Sequence, residues 1–359
     1  MNKTNKPTNA PVIGKRYTFT NCDTGRNLSA GAVSLFALEE DGRLRSGNRF
    51  LCADGSLSDE GQAVRIIPLK NGRYHLIVDG QYLADSDEGY APVAAPILRE
   101  TDTIGSCWFM TEQGSAEPMR IMLLGDSITH GSCCDDPTVD GIGCRKKLSE
   151  ALAENADSRF VFVGSVRQFD TAADETALYR HEGHGGWFAD DIFCKNPESR
   201  GLIDRLDAWM GKYRPDVVLA QVGTNDCAFT MSRYGRGEEP WTPIEMEQLL
   251  VRFEQFTEKI WTLLPHNGTL ILATVPPTIR TECLNDWFVE FNRHLPALVE
   301  KWKKQGRNTV LSDNNAAIAA CPDKGNCSDK IHLSPVGYTA MADSYTKAFY
   351  ELFPGTIGR

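Results

Sequence analysis

Beyond residue 118 the chain alternates between two hydrophobic patterns. Short runs of consecutive apolar residues are typical of strands buried on both faces, as in a parallel sheet. Longer stretches carry apolar residues at spacings of three and four, the helical period. The predicted strands are residues 120–124, 160–163, 216–222, 269–275 and, more weakly, 309–311. The predicted helices are residues 143–153, 202–213, 244–264, 286–304 and 335–352. This alternation predicts a three-layer α/β/α sandwich on a parallel sheet, with right-handed β-α-β connections.

The first third of the chain has a different pattern. Residues 15–112 consist of short runs of alternating apolar and polar residues and show no helical period. Turn pairs separate the runs, among them Asp41-Gly42, Asn71-Gly72 and Asp79-Gly80. This texture predicts a small all-β domain. Residues 113–118 are small and polar and end in proline, so we interpret them as a linker to an α/β domain at 119–359.

A weak internal repeat runs through the all-β segment. Thr24-Gly25-Arg26-Asn27-Leu28 resembles Gly47-Asn48-Arg49-Phe50-Leu51 and Asp79-Gly80-Gln81-Tyr82-Leu83. Three such units resemble a β-trefoil of the ricin-B lectin kind. The resemblance implies a carbohydrate-binding domain, but the signature Gln-x-Trp of those lectins is replaced by Ser106-Cys107-Trp108. Carbohydrate binding and a purely structural role therefore both stay open, and Trp108 is expected in the core.

Charge and hydropathy narrow the range of partners. The net charge is −10 and the sequence pI is about 5.3, without a basic tract that could follow a phosphate backbone, so nucleic acid is not an expected partner. No apolar run reaches the about 18 residues of a membrane span. Residues 1–14 are polar and read as a flexible leader rather than a signal peptide. The expected location is the cytoplasm, or the cell surface or exterior if a signal peptide has been removed. The oligomeric state stays open.

The cysteine pattern favours free thiols over a disulfide framework. The eleven cysteines are odd in number and include no pairs at zinc-finger spacing. Cys321 and Cys327 bracket a short loop and are the best candidates for a disulfide.

A serine follows the first predicted strand of the α/β domain. Strand 120–124 runs into Gly125-Asp126-Ser127, so the serine leaves the sheet at its carboxyl end, where open α/β sheets bind ligands. Serine in such a place is more often a turn or helix-cap residue, so its role depends on the rest of the chain. Three later loops carry further polar side chains and should emerge at the same edge: residues 181–187, 223–226 and 329–335.

Together these loops hold what acyl transfer requires. Ser127 would supply the nucleophilic hydroxyl, His332 the base, and Asp329 the carboxylate that orients the base. The backbone N–H of Ser127, a glycine N–H of the loop 183–186 and the side-chain amide of Asn225 would face the developing oxyanion. Asp226 is expected to order its own loop.

Taken in order, four blocks of sequence resemble those of the SGNH (GDSL-type) hydrolases. They are Gly125-Asp126-Ser127, a loop glycine, Gly223-Thr224-Asn225 and Asp329-Lys330-Ile331-His332, and the likeness extends over residues 119–354. In that family the oxyanion glycine closes a Gly-x-x-Gly-like segment. This implies Gly186 as the backbone donor, with Gly185 as the alternative, and it implies no cofactor.

Within that family the chain resembles carbohydrate esterase family 3, the acetyl xylan esterases. The likeness rests on Gly143-x-Arg145, Phe162-Val-Gly-Ser165, His181-Glu-Gly-His-x-Gly-Trp187 and His332-x-x-Pro-x-Gly-Tyr338. It implies a serine esterase that removes O-acetyl groups from a polysaccharide or oligosaccharide through an acyl-enzyme on Ser127. The insert Cys133-Cys134-Asp135-Asp136 has no counterpart in that pattern.

Three residues are candidates for substrate binding: Trp187, Arg145 and Asp126. Each also has a structural explanation, because Trp187 can pack on its own loop, Arg145 can pair with a carboxylate and Asp126 can bond the turn at Ser127. His181 and His184 have no third ligand at a suitable spacing, so no metal is expected.

Two other functions remain open from sequence. One is a broad short-chain esterase, thioesterase or lysophospholipase, which would use the same catalytic groups. The other is a sugar-binding protein with an inactive α/β scaffold. The four intact blocks favour catalysis.

Overall fold

The computed structural model describes most of the chain. The described residues are 11–29, 35–52, 54, 56–69, 72–86, 93–94, 96–101, 104–154, 159–167, 179–190, 200–230 and 242–354. Most of the expected leader and Asn71 of the turn pair Asn71-Gly72 lie outside them. Among the described residues, no helix combines the length and the apolar character needed to cross a bilayer.

The chain divides into two compact units. The first contains the described residues up to Arg120 together with Arg159–Val163, and the second contains the described residues from Ile121 onward apart from that segment. The domain limits predicted from the sequence, with a linker at 113–118, remain our proposal.

The first unit is rich in antiparallel sheet. Its strands are β1 (Arg16–Asn21), β2 (Asn27–Leu28), β3 (Phe36–Leu38), β4 (Leu44–Ser46), β5 (Arg49–Leu51), β6 (Leu57–Ser58), β7 (Val64–Pro68), β8 (Arg73–Val78), β9 (Gln81–Asp85), β10 (Val93–Ala94), β11 (Pro96–Arg99) and β12 (Cys107–Glu112). Along the sheet the order is β11-β9-β8-β12-β1-β3-β4-β5-β6, while β7 pairs with β8 and β2 pairs with β1 and β10. A short 3₁₀ helix, Ile104–Ser106, precedes β12.

The repeated leucines of this unit share one core. Leu28, Leu51 and Leu83 are buried in the same hydrophobic cluster, together with Trp108. The Trp108 indole Nε1–H donates to the Leu83 carbonyl at 2.8 Å, so this ring is a core residue, as expected. The sheet-rich character of the unit agrees with the sequence prediction, and the trefoil remains our proposal for it.

A buried ion pair fixes one side of the same unit. The Arg26 guanidinium donates to both carboxylate oxygens of Asp85, with Nε 2.9 Å from Oδ2, and Thr24 Oγ1 donates to the same carboxylate. Arg26 and Asp85 are 1% and 2% exposed. Removing either partner would leave the other as an uncompensated buried charge, so replacing Arg26 or Asp85 alone should strongly destabilise this unit.

The second unit is built on parallel strands. The strands after residue 118 are β13 (Met119–Gly125), β14 (Phe160–Phe162), β15 (Glu182–Gly183), β16 (Val217–Gln221), β17 (Thr269–Ala273) and β18 (Asn308–Ser312). Of these, β14 belongs to the segment Arg159–Val163 that is grouped with the first unit. β13, β16, β17 and β18 are neighbours in that order, all parallel, and β15 pairs with the end of β13. All five predicted strands are present, and the prediction of an α/β fold with a parallel sheet is confirmed.

The helices agree with the sequence where they are long. They are α1 (Ser127–His130), α2 (Arg145–Ala153), α3 (Leu206–Tyr213), α4 (Thr224–Thr230), α5 (Pro243–Leu263), α6 (Glu282–Lys304), α7 (Asn314–Ala319) and α8 (Pro335–Leu352), with a 3₁₀ turn at Leu202–Asp204 before α3. α8 begins as predicted, with Ser334 as its cap. α6 begins four residues earlier than predicted because Thr281 Oγ1 accepts the N–H of Leu284. The short helices α1, α4 and α7 were not predicted.

One glycine sets how closely the central strands approach. Gly125 of β13 is opposite Gln221 of β16, and a Cβ built on Gly125 would lie 1.8 Å from the Gln221 carbonyl oxygen. Gly125 is also opposite Gly183 at the end of β15. Because the three strands end at one level, the loops that follow them emerge side by side.

Candidate active site

Ser127 occupies the first position of the short helix α1. Asp126 caps this helix: Oδ1 accepts the N–H of Ile128 at 3.0 Å, and Oδ2 accepts the N–H of Thr224 at 3.3 Å. Asp126 is fully buried, and this burial raises its pKa to about 6 although both hydrogen bonds oppose the shift. The expectation that Asp126 binds substrate is therefore corrected. Its carboxylate instead joins the turn at Ser127 to the start of α4.

His332 lies between Ser127 and Asp329. Its Nε2 is 2.8 Å from Ser127 Oγ, and its Nδ1 is 2.5 Å from Asp329 Oδ2. The other oxygen, Asp329 Oδ1, accepts the backbone N–H groups of Ile331 and His332. Burial favours the neutral acid, but these hydrogen bonds outweigh it and hold the pKa of Asp329 below its usual value. An ionised Asp329 can orient the imidazole and stabilise its protonated form.

Hydrogen bonds to backbone groups fix the loop that carries His332. The Cys327 N–H donates to the His332 carbonyl at 2.7 Å. Lys330 has φ +67°, a left-handed conformation that is uncommon outside glycine. Its carbonyl accepts Thr278 Oγ1 at 2.5 Å and the Ile279 N–H at 3.3 Å, both from the segment after β17. These bonds hold the loop in one conformation between the sheet edge and α8.

Asn225 lies in the first turn of α4, directly after Thr224, whose N–H donates to Asp126. Its side-chain Nδ2 donates one hydrogen to the Trp187 carbonyl at 2.8 Å, which leaves the second N–H for another acceptor. Ser127 has a backbone N–H in the first turn of its helix, where no intrahelical acceptor exists. Both groups can therefore donate to a ligand at the end of the sheet.

Gly185 and Gly186 differ in the atoms that a side chain at each position would meet. A Cβ built on Gly185 would lie 4.0 Å from Ser127 Cβ. A Cβ built on Gly186, whose φ is +76°, would approach Arg200 Nη1 at 3.7 Å and would have no atom of Ser127 within 4 Å. The loop is a tight turn in which the Trp187 N–H donates to the His184 carbonyl at 3.2 Å. The Cβ distances describe where a side chain would point and not the direction of the N–H groups, so Gly186 stays the expected donor, with Gly185 as the alternative.

Arg145 does not face a substrate. Its side chain is fully buried at the start of α2, where the guanidinium donates to the carbonyls of Thr129, His130 and Gly141. Burial lowers its pKa to about 10. The expectation of substrate binding is thus corrected, because this arginine closes the turn that follows α1.

Trp187 belongs to a small aromatic cluster. Its ring centroid is 4.7 Å from that of His184, which stacks on Trp209 at 4.8 Å with a 4° interplanar angle. His184 Nε2 is 2.9 Å from the buried carboxylate of Glu182. Trp187 packs on its own loop, yet it stays partly exposed and so can also contact a ligand.

Two buried carboxylates support these loops. Glu182 accepts the N–H of Ser165 at 2.5 Å and its hydroxyl at 2.7 Å, a role that no sequence signal indicated. Asp226 accepts the N–H of Ala189 at 3.0 and 3.1 Å with its two oxygens, so it holds the segment after β15, whereas the sequence had suggested a role in its own loop. Burial, with repulsion from Asp126 as a lesser cause, raises the pKa of Asp226 to about 7.

The candidate disulfide is absent. Cys321 and Cys327 are free thiols. Cys321 Sγ lies near the carbonyl of Ala317, and Cys327 Sγ instead contacts Cys133 Sγ at 3.6 Å and the Leu333 carbonyl at 2.9 Å. Free thiols are what the cysteine pattern favoured, and the candidate pair does not form because Cys327 faces the insert after α1.

Known proteins resemble the second unit. Residues 121–345 match the family described as GDSL-like Lipase/Acylhydrolase. A multidomain esterase of Ruminococcus flavefaciens is 25% identical over 248 residues, which cover 63% of this chain and 28% of that protein. The chain therefore spans less than a third of the length of this curated relative.

Solved structures with similarity to the chain include two family 3 carbohydrate esterases. The protein from Talaromyces cellulolyticus is 21% identical with a TM-score of 0.49, and the match covers 66% of this chain and 99% of that one. The protein from Clostridium thermocellum is 22% identical with a TM-score of 0.49, and the match covers 67% of this chain and all of that one.

Asp226→Asn should make the free energy of unfolding less dependent on pH. The pKa of about 7 in the folded protein lies above the about 3.9 of an unfolded aspartate, so the stability from this group is present at low pH and is lost as pH rises through about 7. Wild type should lose stability relative to the variant as the pH rises from about 4 to about 7 in urea unfolding, and the difference should stay constant above that range. The exposed Asp207→Asn is the matched control. A difference between wild type and Asp226→Asn that stays constant over the whole pH range would contradict the raised pKa.

Proposed function

Because this chain belongs to the GDSL-like lipase/acylhydrolase family, a family of carboxylic ester hydrolases, we propose that it is a serine esterase that removes O-acetyl groups from a polysaccharide or oligosaccharide. The observation that carries the proposal is the hydrogen-bonded series Ser127–His332–Asp329, with Nε2 2.8 Å from the hydroxyl and Nδ1 2.5 Å from the carboxylate. A serine in this contact has a base at hand to take its proton as it attacks a carbonyl carbon.

The reaction proceeds in two halves. Ser127 Oγ attacks the acetyl carbonyl while His332 Nε2 takes its proton, and the resulting imidazolium is stabilised by Asp329. His332 then returns the proton to the departing sugar oxygen, which leaves an acetyl group on Ser127. Water, deprotonated by the same imidazole, attacks this ester and releases acetate, and Ser127 recovers its proton.

The oxyanion formed in each half is stabilised by three donors. These are the Ser127 N–H, the second side-chain N–H of Asn225 and the N–H of Gly186, with that of Gly185 as the alternative. The bond from Asn225 to the Trp187 carbonyl supports this arrangement, because it fixes the amide to the same loop that carries Gly185. Donors fixed in this way need no reorganisation as charge develops, and each is worth roughly a hundred- to a thousandfold in kcat.

The choice of an acetylated carbohydrate rests on two features. The loop 181–187 carries the sequence by which the chain resembles carbohydrate esterase family 3. Trp187, partly exposed beside the exposed Gly185, offers a flat surface on which a sugar ring can stack and limits the space for an acyl chain. In this proposal residues 119–359 form the catalytic domain, and residues 15–112 are a separate trefoil-like domain that can bind carbohydrate.

Ser127→Ala should abolish ester hydrolysis without unfolding the protein. Without the hydroxyl no acyl-enzyme can form, and the remaining donors should leave less than about a thousandth of the wild-type kcat on p-nitrophenyl acetate. Ser149→Ala on α2 is the matched control and should keep full activity. Circular dichroism would establish that both variants fold. A folded Ser127→Ala enzyme with substantial turnover would refute the nucleophile, and with it the proposed mechanism.

Asn225→Asp should lower kcat by roughly a hundred- to a thousandfold and change KM little, because the donor acts mainly in the transition state. The carboxylate has nearly the same shape but cannot donate a hydrogen bond. Steady-state kinetics on p-nitrophenyl acetate would measure both constants, with Asn225→Ala as a second variant. A raised KM with an unchanged kcat would make Asn225 a substrate-binding residue.

The acyl group should be short and the alcohol a carbohydrate. We expect acetyl esters to be cleaved faster than butyryl esters, octanoyl esters to be cleaved poorly, and acetate to be released from acetylated xylan. Preference for octanoyl esters would favour the lipase-like or lysophospholipase function. Failure to cleave any ester, with sugar binding retained, would favour the non-catalytic alternative.

A further inference from the structure

The insert after α1 meets the catalytic loop in a cluster of metal-binding side chains. Cys134 Sγ, a carboxylate oxygen of Asp135 and Cys327 Sγ all lie within 4.8 Å of one another. Cys134 and Asp135 are exposed, and Cys327 is buried. None of the three takes part in the reaction steps above, and the insert is the segment without a counterpart in the esterase pattern.

Hydrogen bonds hold the two segments of the cluster together. The Ser328 N–H donates to Asp135 Oδ2 at 2.8 Å, and Cys134 Sγ is 3.5 Å from Ser328 Oγ. Cys327 Sγ donates to the Leu333 carbonyl at 2.9 Å. The ligand atoms are therefore brought together by the fold itself, although the two segments are almost 200 residues apart in sequence.

We propose that Cys134, Asp135 and Cys327 form a binding site for a thiophilic divalent cation of the Zn²⁺ class. Zn²⁺ binds sulfur at about 2.3 Å and carboxylate oxygen at about 2.0–2.2 Å, so tetrahedral ligands lie roughly 3.5–3.8 Å apart. From the present spacing of up to 4.8 Å, the ligand atoms need to approach one another by at most about 1.3 Å to reach that geometry. Rotation of the two exposed side chains can supply this, and a water molecule can complete the tetrahedron.

Binding must release protons from the thiols. The Cys327 thiol donates to the Leu333 carbonyl, so this sulfur carries a proton when no cation is bound. A bound cation compensates the thiolate charge and displaces the protons of Cys134 and Cys327 into solvent. Affinity should therefore rise with pH.

The cation would restrict the movement of residues 327–332, the loop that carries His332. Cys327 is bonded through its N–H to the carbonyl of His332, and Cys134 follows the helix that begins at Ser127. A cation shared by Cys134 and Cys327 links the segment behind the nucleophile to the segment that carries the base. Its role is structural, because Ser127, Asp329 and His332 are not among its ligands.

The test is a titration of the reduced, metal-free full chain with Zn²⁺ under anaerobic conditions. Calorimetry should give one ion per chain, and Cd²⁺ should produce the thiolate-to-metal absorbance of two sulfur ligands. Loss of an outer-shell partner alone costs about ten- to a hundredfold in affinity, so Cys134→Ser and Asp135→Asn should each weaken binding at least about tenfold. Cys283→Ser and Asp136→Asn are the matched controls and should bind as wild type does.

Thermal unfolding gives a second readout. The same excess of Zn²⁺ should raise the Tm of wild type and of both controls clearly more than that of Cys134→Ser, because the shift depends on the ratio of free cation to Kd. No binding to reduced wild type, or equal binding to Cys134→Ser, would overturn the site, as would an equal loss in Cys283→Ser. Neither readout uses ester hydrolysis, so the result is independent of the proposed activity.

Discussion

The active-site end of the second unit depends on the buried carboxylate of Asp126. It accepts one N–H from the first turn of α1 and one from the first turn of α4, so a single side chain sets the distance between the helix that carries Ser127 and the helix that carries Asn225. Removing this group from water raises its pKa to about 6, which shows that solvation energy is given up to hold the two turns together. The close contact of β13 with β16 at Gly125 makes the arrangement possible, because it brings the ends of the two strands to the same level.

The other loops are attached to this frame by hydrogen bonds from backbone groups. Asp226, one residue beyond Asn225, holds Ala189, while Glu182 holds Ser165 and the imidazole of His184. Both carboxylates are buried. Since a buried carboxylate is stable only with its donors in place, each loop has one favourable position. The site is consequently preorganised by groups that do not touch the reacting atoms.

Sequence reasoning identified the strands, the long helices and the four polar blocks, because each depends on local pattern or on the rule that parallel strands end at a common edge. It failed where long-range burial decides. Arg145 was expected near a substrate, but it lies inside the protein on the carbonyls of Thr129, His130 and Gly141, and no local pattern indicates that. The contact of the Cys327 thiol with that of Cys133 depends on where the insert after α1 folds, which no local pattern indicates.

Asp329 and His332 are only three residues apart, and their contact is reinforced by two backbone N–H groups of the same loop. The acid–base pair is thus assembled locally, whereas the contact between His332 and Ser127 joins residues 205 positions apart in sequence. In the proposed mechanism, catalysis therefore depends on this one tertiary contact. The orientation of His332 by Asp329 is set within one short loop, whereas the distance from His332 to Ser127 depends on how the segment after β17 holds that loop at the Lys330 carbonyl.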